Sequence, residues 1–348
     1  MATPLHAVTN LPRNLPCLAA LLFGACVPTA PDPPPSGGAD PDAPWLGNDP
    51  CPEATAGIEL EESAPFTAGG TPAPLVVLMG GGVEVDEAAV AFAEAAGGGD
   101  LLVLRATGST SSYTEWFAEE LSLSPRPAAV GTVLLNDPDA GDDGAVLCRV
   151  ARADALWLAG GDQSDYLLRW PNTLHEALAR AVTRGVAVGG TSAGAMSLSS
   201  LAFDAAQGSI DSDLAMAAPL DDAVSLSDSP FAAPALQGTL VDTHFSERAR
   251  LGRLVTFLAR AGHQGTPVTG LGIDEETAVV IDGDTVSVSG AGEAWLVSLQ
   301  GEVALAEGAP LDAVASVAPL SAQGRWPATS GADAPGAVPF TVVDGQAQ

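Results

Sequence analysis

Short apolar runs separated by segments of helical period dominate the central part of this chain, and that alternation constrains the fold more than any other feature. The runs are LVVLM (75–79), LLVLR (101–105), VGTVLLN (130–136), ALWLAG (155–160) and GVAVGG (185–190). Each is too short for a helix and apolar at nearly every position, as a strand covered on both faces must be. Between them DEAAVAFAEAA, YTEWFAEEL, DDGAVLCRVARAD and NTLHEALARAVTRG space their apolar residues at helical intervals. The expected class is α/β, a doubly wound, mostly parallel sheet flanked by helices. Glycines follow several runs, at 80–82, 160–161 and 189–190, and ligands sit at that carboxyl edge in such folds.

After Leu236 the pattern changes. GTLVDTH reads as a strand, Ser246 to Ala261 as a helix, TAVVIDGDTVSVSG as a hairpin turning at Asp-Gly, and EAWLVSL as a following strand, giving a C-terminal β-hairpin extension. The predicted boundaries are a leader over 1–26, a Pro/Asp/Gly-rich tether over 27–70, a catalytic domain over 71–318 and a low-complexity tail over 319–348.

The leader carries Arg13 and an apolar run from Leu15 to Cys26, too short to span a bilayer as an ordinary helix. Its LFGAC ending resembles a bacterial lipobox, which implies lipidation of Cys26 and attachment to a membrane; Phe23 departs from the usual leucine, so plain secretion is the alternative. The expected location is therefore extracytoplasmic. After export Cys51 and Cys148 remain in an oxidising compartment, either paired or as unrelated thiols. Thirteen arginines, no lysine and 43 acidic residues give a net charge of −30, which argues against a nucleic-acid partner. No Cys or His spacing suggests a metal site, and no cofactor is expected.

Gly190-Thr191-Ser192-Ala193-Gly194 fits the G-x-S-x-G elbow, in which glycines permit a tight strand-to-helix turn that raises a serine at a helix N-terminus. A serine hydroxyl needs a base. His175 lies within a helical segment and His263 at a helix end, whereas His244 follows a strand and is expected at the same sheet edge as the elbow. A carboxylate should orient the imidazole, and GLGIDEETAVV offers Asp274, Glu275 and Glu276 without choosing among them.

Taken together, GGDQ, GGTSAGA, VDTHFSERARLGRL and GLGIDEETA resemble the motifs of cyanophycinase and the wider S51 serine peptidases, in the same order from about Leu75 to Leu299. The resemblance implies an α/β fold related to class I glutamine amidotransferases and cleavage on the carboxyl side of aspartate. It makes Ser192 the nucleophile, His244 the base and Glu275 the orienting acid, and it places Gln163, Asp242 and Thr243 at the substrate. Ala193 and Gly161 are the candidate oxyanion-hole N–H donors, from elbow geometry.

Arg248, Arg250 and Arg253 match the family's recognition arginines, and a positive cluster in so acidic a chain favours a carboxylate-bearing ligand. Leu251, Leu254, Val255 and Leu258 mark the buried stripe of their helix, with the arginines at its margins. Cyanophycinases commonly carry glutamine where this chain has Thr243, and residues 206–235 form a longer insertion; both bear on which substrate is accepted. The implied partner is cyanophycin or another aspartyl peptide. The alternatives are an aspartyl dipeptidase and a non-catalytic binding lipoprotein of the same fold.

Overall fold

Consecutive apolar positions on a strand point to opposite sides of its sheet, so the runs above must supply two cores at once. The computed structural model describes residues 41–47, 49–67, 69–328 and 330–348. Its elements begin with β1 (Ile58–Glu62), β2 (Val76–Met79), α1 (Asp86–Glu94), β3 (Asp100–Arg105), α2 (Ser111–Glu115), β4 (Ala129–Leu135), α3 (Gly144–Arg152), β5 (Ala155–Leu158), α4 (Asn172–Thr183), β6 (Ala187–Thr191) and α5 (Ala193–Ser197). Then come β7 (Leu201–Phe203), α6 (Ser212–Ala217), β8 (Leu226–Asp228), β9 (Thr239–Thr243), α7 (Leu251–His263), β10 (Thr269–Ile273), β11 (Thr277–Asp282) and β12 (Thr285–Gly290). The last strands are β13 (Ala294–Leu299), β14 (Ala313–Pro319), β15 (Gln323–Arg325), β16 (Val338–Val343) and β17 (Gln346–Ala347).

The class is mixed α/β. A nine-stranded sheet runs β1-β4-β3-β5-β6-β2-β11-β12-β15, with β4, β3, β5, β6 and β2 parallel and the outer strands antiparallel. Leu78, Leu102, Leu104, Leu156 and Val188 join one core with α3 and α4, while Val77, Met79, Leu101, Val103 and Trp157 join another with α1 and Phe117. The period-two split explains why these runs are apolar at nearly every position. A third core lies between α6, α7 and a six-stranded sheet ordered β17-β16-β14-β13-β10-β9, in which only β9 and β10 are parallel.

Several expectations need correction. His244 follows β9, which belongs to the second sheet and not to the sheet of the elbow. The helix expected over 246–261 is displaced to Leu251–His263, because residues 246–250 turn sharply, with Ala249 at φ 48°.

The tether predicted to residue 70 contains β1, an edge strand paired with β4, and is stitched down further by the Cys51–Cys148 disulfide across 97 residues. Asp42 pairs with Arg180 and Arg184, and Arg152 donates to the carbonyls of Trp45, Gly47, Asp49 and Phe66. Likewise the expected loose tail holds β15, β16 and β17, because alternating residues of β16 complete an edge that β14 would otherwise leave unpaired. The leader, with Arg13 and Cys26, lies outside the described residues, and no helix among these is long and apolar enough to cross a membrane.

Candidate active site

β6 ends at Thr191 and α5 begins at Ala193, so Ser192 occupies the turn between them at φ 52°, ψ −121°. A non-glycine residue held there costs about 1–3 kcal/mol, which the flanking packing must overcome. Its N–H donates to Met79 O of the neighbouring strand at 3.0 Å. A side chain at Gly194 would place Cβ 2.0 Å from Leu158 O, so the first turn of α5 meets β5 only because that position is glycine.

His244, at φ 47° just after β9, brings Nε2 to 2.7 Å from Ser192 Oγ. Nδ1 lies 2.6 Å from Glu275 Oε1 at the end of β10. A carboxylate only accepts, so Nδ1 carries the proton and Nε2 is left to take one from the serine. Burial holds the imidazole pKa below its ordinary 6.5, with Arg248 and Arg250 acting in the same direction and Glu275 opposing them. The ring is therefore neutral, and basic, at pH 7.

The structure distinguishes the three acids that the sequence left equivalent. Asp274 turns inward, where its carboxylate accepts from the N–H groups of Ser246 and Glu293 at 3.0 and 3.1 Å. Glu276 takes φ 54° and its N–H donates to Gly81 O at 2.8 Å. Glu275 alone reaches the imidazole.

One strap joins all three positions, and in sequence it is only a glycine run after a strand. From β2, Met79 O accepts from Ser192 N–H, Gly80 O from His244 N–H at 2.8 Å, and Gly81 O from Glu276 N–H. Gly81, at φ 96°, lies against the imidazole so closely that a Cβ would sit 2.2 Å from His244 Cε1. The sole sequence signal was the triplet itself, whose purpose depends on contacts across nearly 200 residues.

Ser192 opens into a cavity of about 240 Å³. Ala193 and Gly161 both line it, and neither N–H donates to a backbone group among the described residues. Gln163 lines it too, its amide fixed by a bond to Phe203 O at 3.2 Å. Gly208 and Ser209 enter the lining from the insertion at 206–235.

The arginine cluster divides. Arg248 faces the cavity, and its guanidinium makes no hydrogen bond or ion pair among the described residues. Arg253 is almost wholly buried and forms a two-point pair with Asp242, at 2.8 and 2.5 Å. Arg250 donates to Thr243 O at 2.7 Å, stands 3.6 Å from Asp242, and is pushed down to about 10 by burial, still protonated at neutral pH. Asp242 and Thr243 are fully buried and do not line the cavity, contrary to the expectation of substrate contact. They point to opposite faces of β9 and both faces are covered by packing, in which Asp242 fixes two of the three arginines. His175 is a buried helix residue bonded to Tyr166 O at 2.8 Å. Among the described residues no group of His, Cys, Asp and Glu is arranged to hold a metal.

A peptidase from an acI-B1 Actinobacterium superposes with a TM-score of 0.50 at 17% identity, covering 73% of this chain and 97% of that one, which shows a shared fold. A peptidase E-type protein from Listeria monocytogenes EGD-e gives a TM-score of 0.41 at 16% identity, covering 63% and 99%. No curated protein matches. The family model described as peptidase family S51 matches residues 139–289, the segment that contains Ser192, His244 and Glu275, so that over this segment the chain is similar to peptidase family S51.

Proposed function

We propose that the protein is an exported serine peptidase that hydrolyses aspartyl peptide bonds, those of cyanophycin included, through an acyl-enzyme on Ser192. The observation that carries the reading is the unbroken hydrogen-bonded series Ser192–His244–Glu275 on a strained elbow beside a cavity. Ser192 Oγ attacks the scissile carbonyl carbon while His244 Nε2 takes its proton, and Glu275 stabilises the imidazolium that forms. The Ala193 and Gly161 N–H groups receive the oxyanion. Collapse breaks the C–N bond, His244 returns the proton to the leaving amine, and water activated by the same imidazole releases the acid. Arg248, the cavity's uncommitted cation, suits the aspartyl carboxylate.

The disulfide supports an oxidising compartment, consistent with a cleaved leader and lipid on Cys26. Aspartyl dipeptidase activity is the second reading, favoured by a cavity whose volume suits a single small side chain better than a length of polymer. Ser192→Ala should abolish hydrolysis, a loss on the order of a million-fold, with the thermal midpoint unchanged. A fluorophosphonate should label Ser192 and fail to label it in His244→Ala. Full activity in Ser192→Ala would sink the mechanism, and product masses from cyanophycin against short aspartyl peptides separate polymer from dipeptide cleavage.

A further inference from the structure

β9 and β10 carry the base and the acid just past their ends, and the ladder between them stops before either is reached. Thr243 pairs with Ile273 in the last register position, and one further backbone bond, from Phe245 N–H to Ile273 O at 3.1 Å, closes the ladder. Continued register would set His244 opposite Asp274, whereas the imidazole bonds Glu275, one residue further along. The two chains therefore leave ladder geometry where a 2.6 Å contact between their side chains must be held.

Two carboxylates take over where the backbone bonds end, and they cross. Asp274, on the turn after β10, accepts from Ser246 N–H on the turn after β9 at 3.0 Å. Glu247, on the turn after β9, accepts from Glu275 N–H on the turn after β10 at 3.1 Å. The turn that carries the base and the turn that carries the acid thus hold each other by reciprocal side-chain to backbone bonds, of the stronger kind that an ionised acceptor makes.

The two members differ in their other duties. Asp274 is buried and also accepts from Glu293 N–H at 3.1 Å and Trp295 Nε1–H at 3.4 Å, so it belongs to the packing of the second sheet. Glu247 is exposed, and Glu275 N–H is the one partner of its carboxylate among the described residues. On either side of Glu275 the backbone is fixed by main-chain acceptors: Asp274 N–H by Glu293 O at 3.0 Å and Glu276 N–H by Gly81 O at 2.8 Å. The N–H of Glu275 itself depends on Glu247.

We propose that Glu247 is a positioning residue, which holds the backbone of Glu275 so that its carboxylate keeps the Nδ1 proton of His244. The inference rests on the peptidase reading given above. Glu247 acts through Glu275, and neither residue lines the cavity, so its loss falls on the chemical step and not on substrate binding. What the position requires is an acceptor oxygen of the same reach.

The test reads kcat, KM and the Nδ1 proton in Glu247→Ala and Glu247→Gln. Glu247→Ala should lower kcat on aspartyl peptides about tenfold with KM little changed. Glu247→Gln, which keeps an amide oxygen on the same stem, should recover most of that loss. A proton held between imidazole and carboxylate resonates far downfield in a proton NMR spectrum, and its absence from His244→Ala identifies the signal. It should broaden or vanish in Glu247→Ala and return in Glu247→Gln, with the thermal midpoint of both variants unchanged. Native kcat or a native signal in Glu247→Ala overturns the proposal, as does a Glu247→Gln no better than Glu247→Ala. Because the spectrum needs no hydrolysis, a signal that follows Glu247 in a protein that cleaves no peptide would overturn the peptidase reading and leave the positioning role standing.

Discussion

The nine-stranded sheet holds its triad residue by backbone geometry, whereas the six-stranded sheet holds its two by buried charge and by a borrowed strap. Ser192 sits at a strained φ beside a glycine that lets α5 touch β5, and its N–H is held by Met79 O of the adjacent strand. His244 and Glu275 stand at the ends of parallel β9 and β10, and their positions depend on Asp242, Arg250, Arg253 and the glycines after β2. The difference teaches that a nucleophile can be specified locally while its base and acid are specified by tertiary contacts.

The most direct way to break the comparison is to disconnect the second sheet's acid. Glu275→Gln should lower kcat by about four orders of magnitude, as loss of the tautomer-fixing carboxylate does elsewhere. It also removes a group that raises the imidazole pKa. The acid limb of kcat/KM, expected below pH 6.5 in the native protein, should therefore move to lower pH. A limb that moves upward would contradict this assignment.

Charge anchoring is tested by two arginines five residues apart. Arg253→Met leaves Asp242 buried beside a single, more distant cation and should cost about 3–5 kcal/mol, read by denaturant unfolding. Arg248→Met should leave stability unchanged and raise KM for aspartyl peptides by about tenfold. If both variants behaved alike, the division of the cluster would be wrong.

Smaller still is the effect at the joint. Gly81→Ala drives a methyl group into the imidazole and should lower kcat about a hundredfold through misplacement of His244. Undiminished kcat in a folded Gly81→Ala would show that the strap does not set the ring.

The smallest effect lies at the opposite edge of the first sheet, where Asp100 is buried on β3 near Asp154 and burial pushes its pKa up to about 6. A raised carboxyl pKa stabilises the fold fully below the unfolded value of 3.8, and that contribution is lost as pH rises through 6. Asp100→Asn should flatten this slope and gain about 2 kcal/mol near pH 8, seen by thermal melts across pH. A slope unchanged in the variant would remove Asp100 as its source.

Much of the first sheet was legible because strands buried on both faces write themselves as apolar runs, and the elbow because its glycines are local requirements. β1 and β14 to β17 are hidden for the converse reason: strands at or next to a sheet edge, such as Ile58–Glu62 and Val338–Val343, alternate with polar or proline-bearing positions and look like linker. Glu275 was chosen by resemblance, since the spacing treats Asp274, Glu275 and Glu276 alike. Asp242 and Thr243 are both interior because β9 is covered on both faces, which the alternation of a five-residue strand does not reveal. Sequence does not pair Cys51 with Cys148, because a separation of 97 residues carries no distance.

By itself the sequence determined the parallel-sheet frame, the strand-turn-helix around Ser192 and the acidic surface, all of which follow from periodicity, glycine and charge within short windows. Tertiary structure alone decided that the base and acid come from a second sheet, that one arginine of three remains uncommitted, and that Met79 to Gly81 bind the parts together. Those outcomes rest on close approach between segments far apart in the chain, where a contact depends on which side chains burial places face to face.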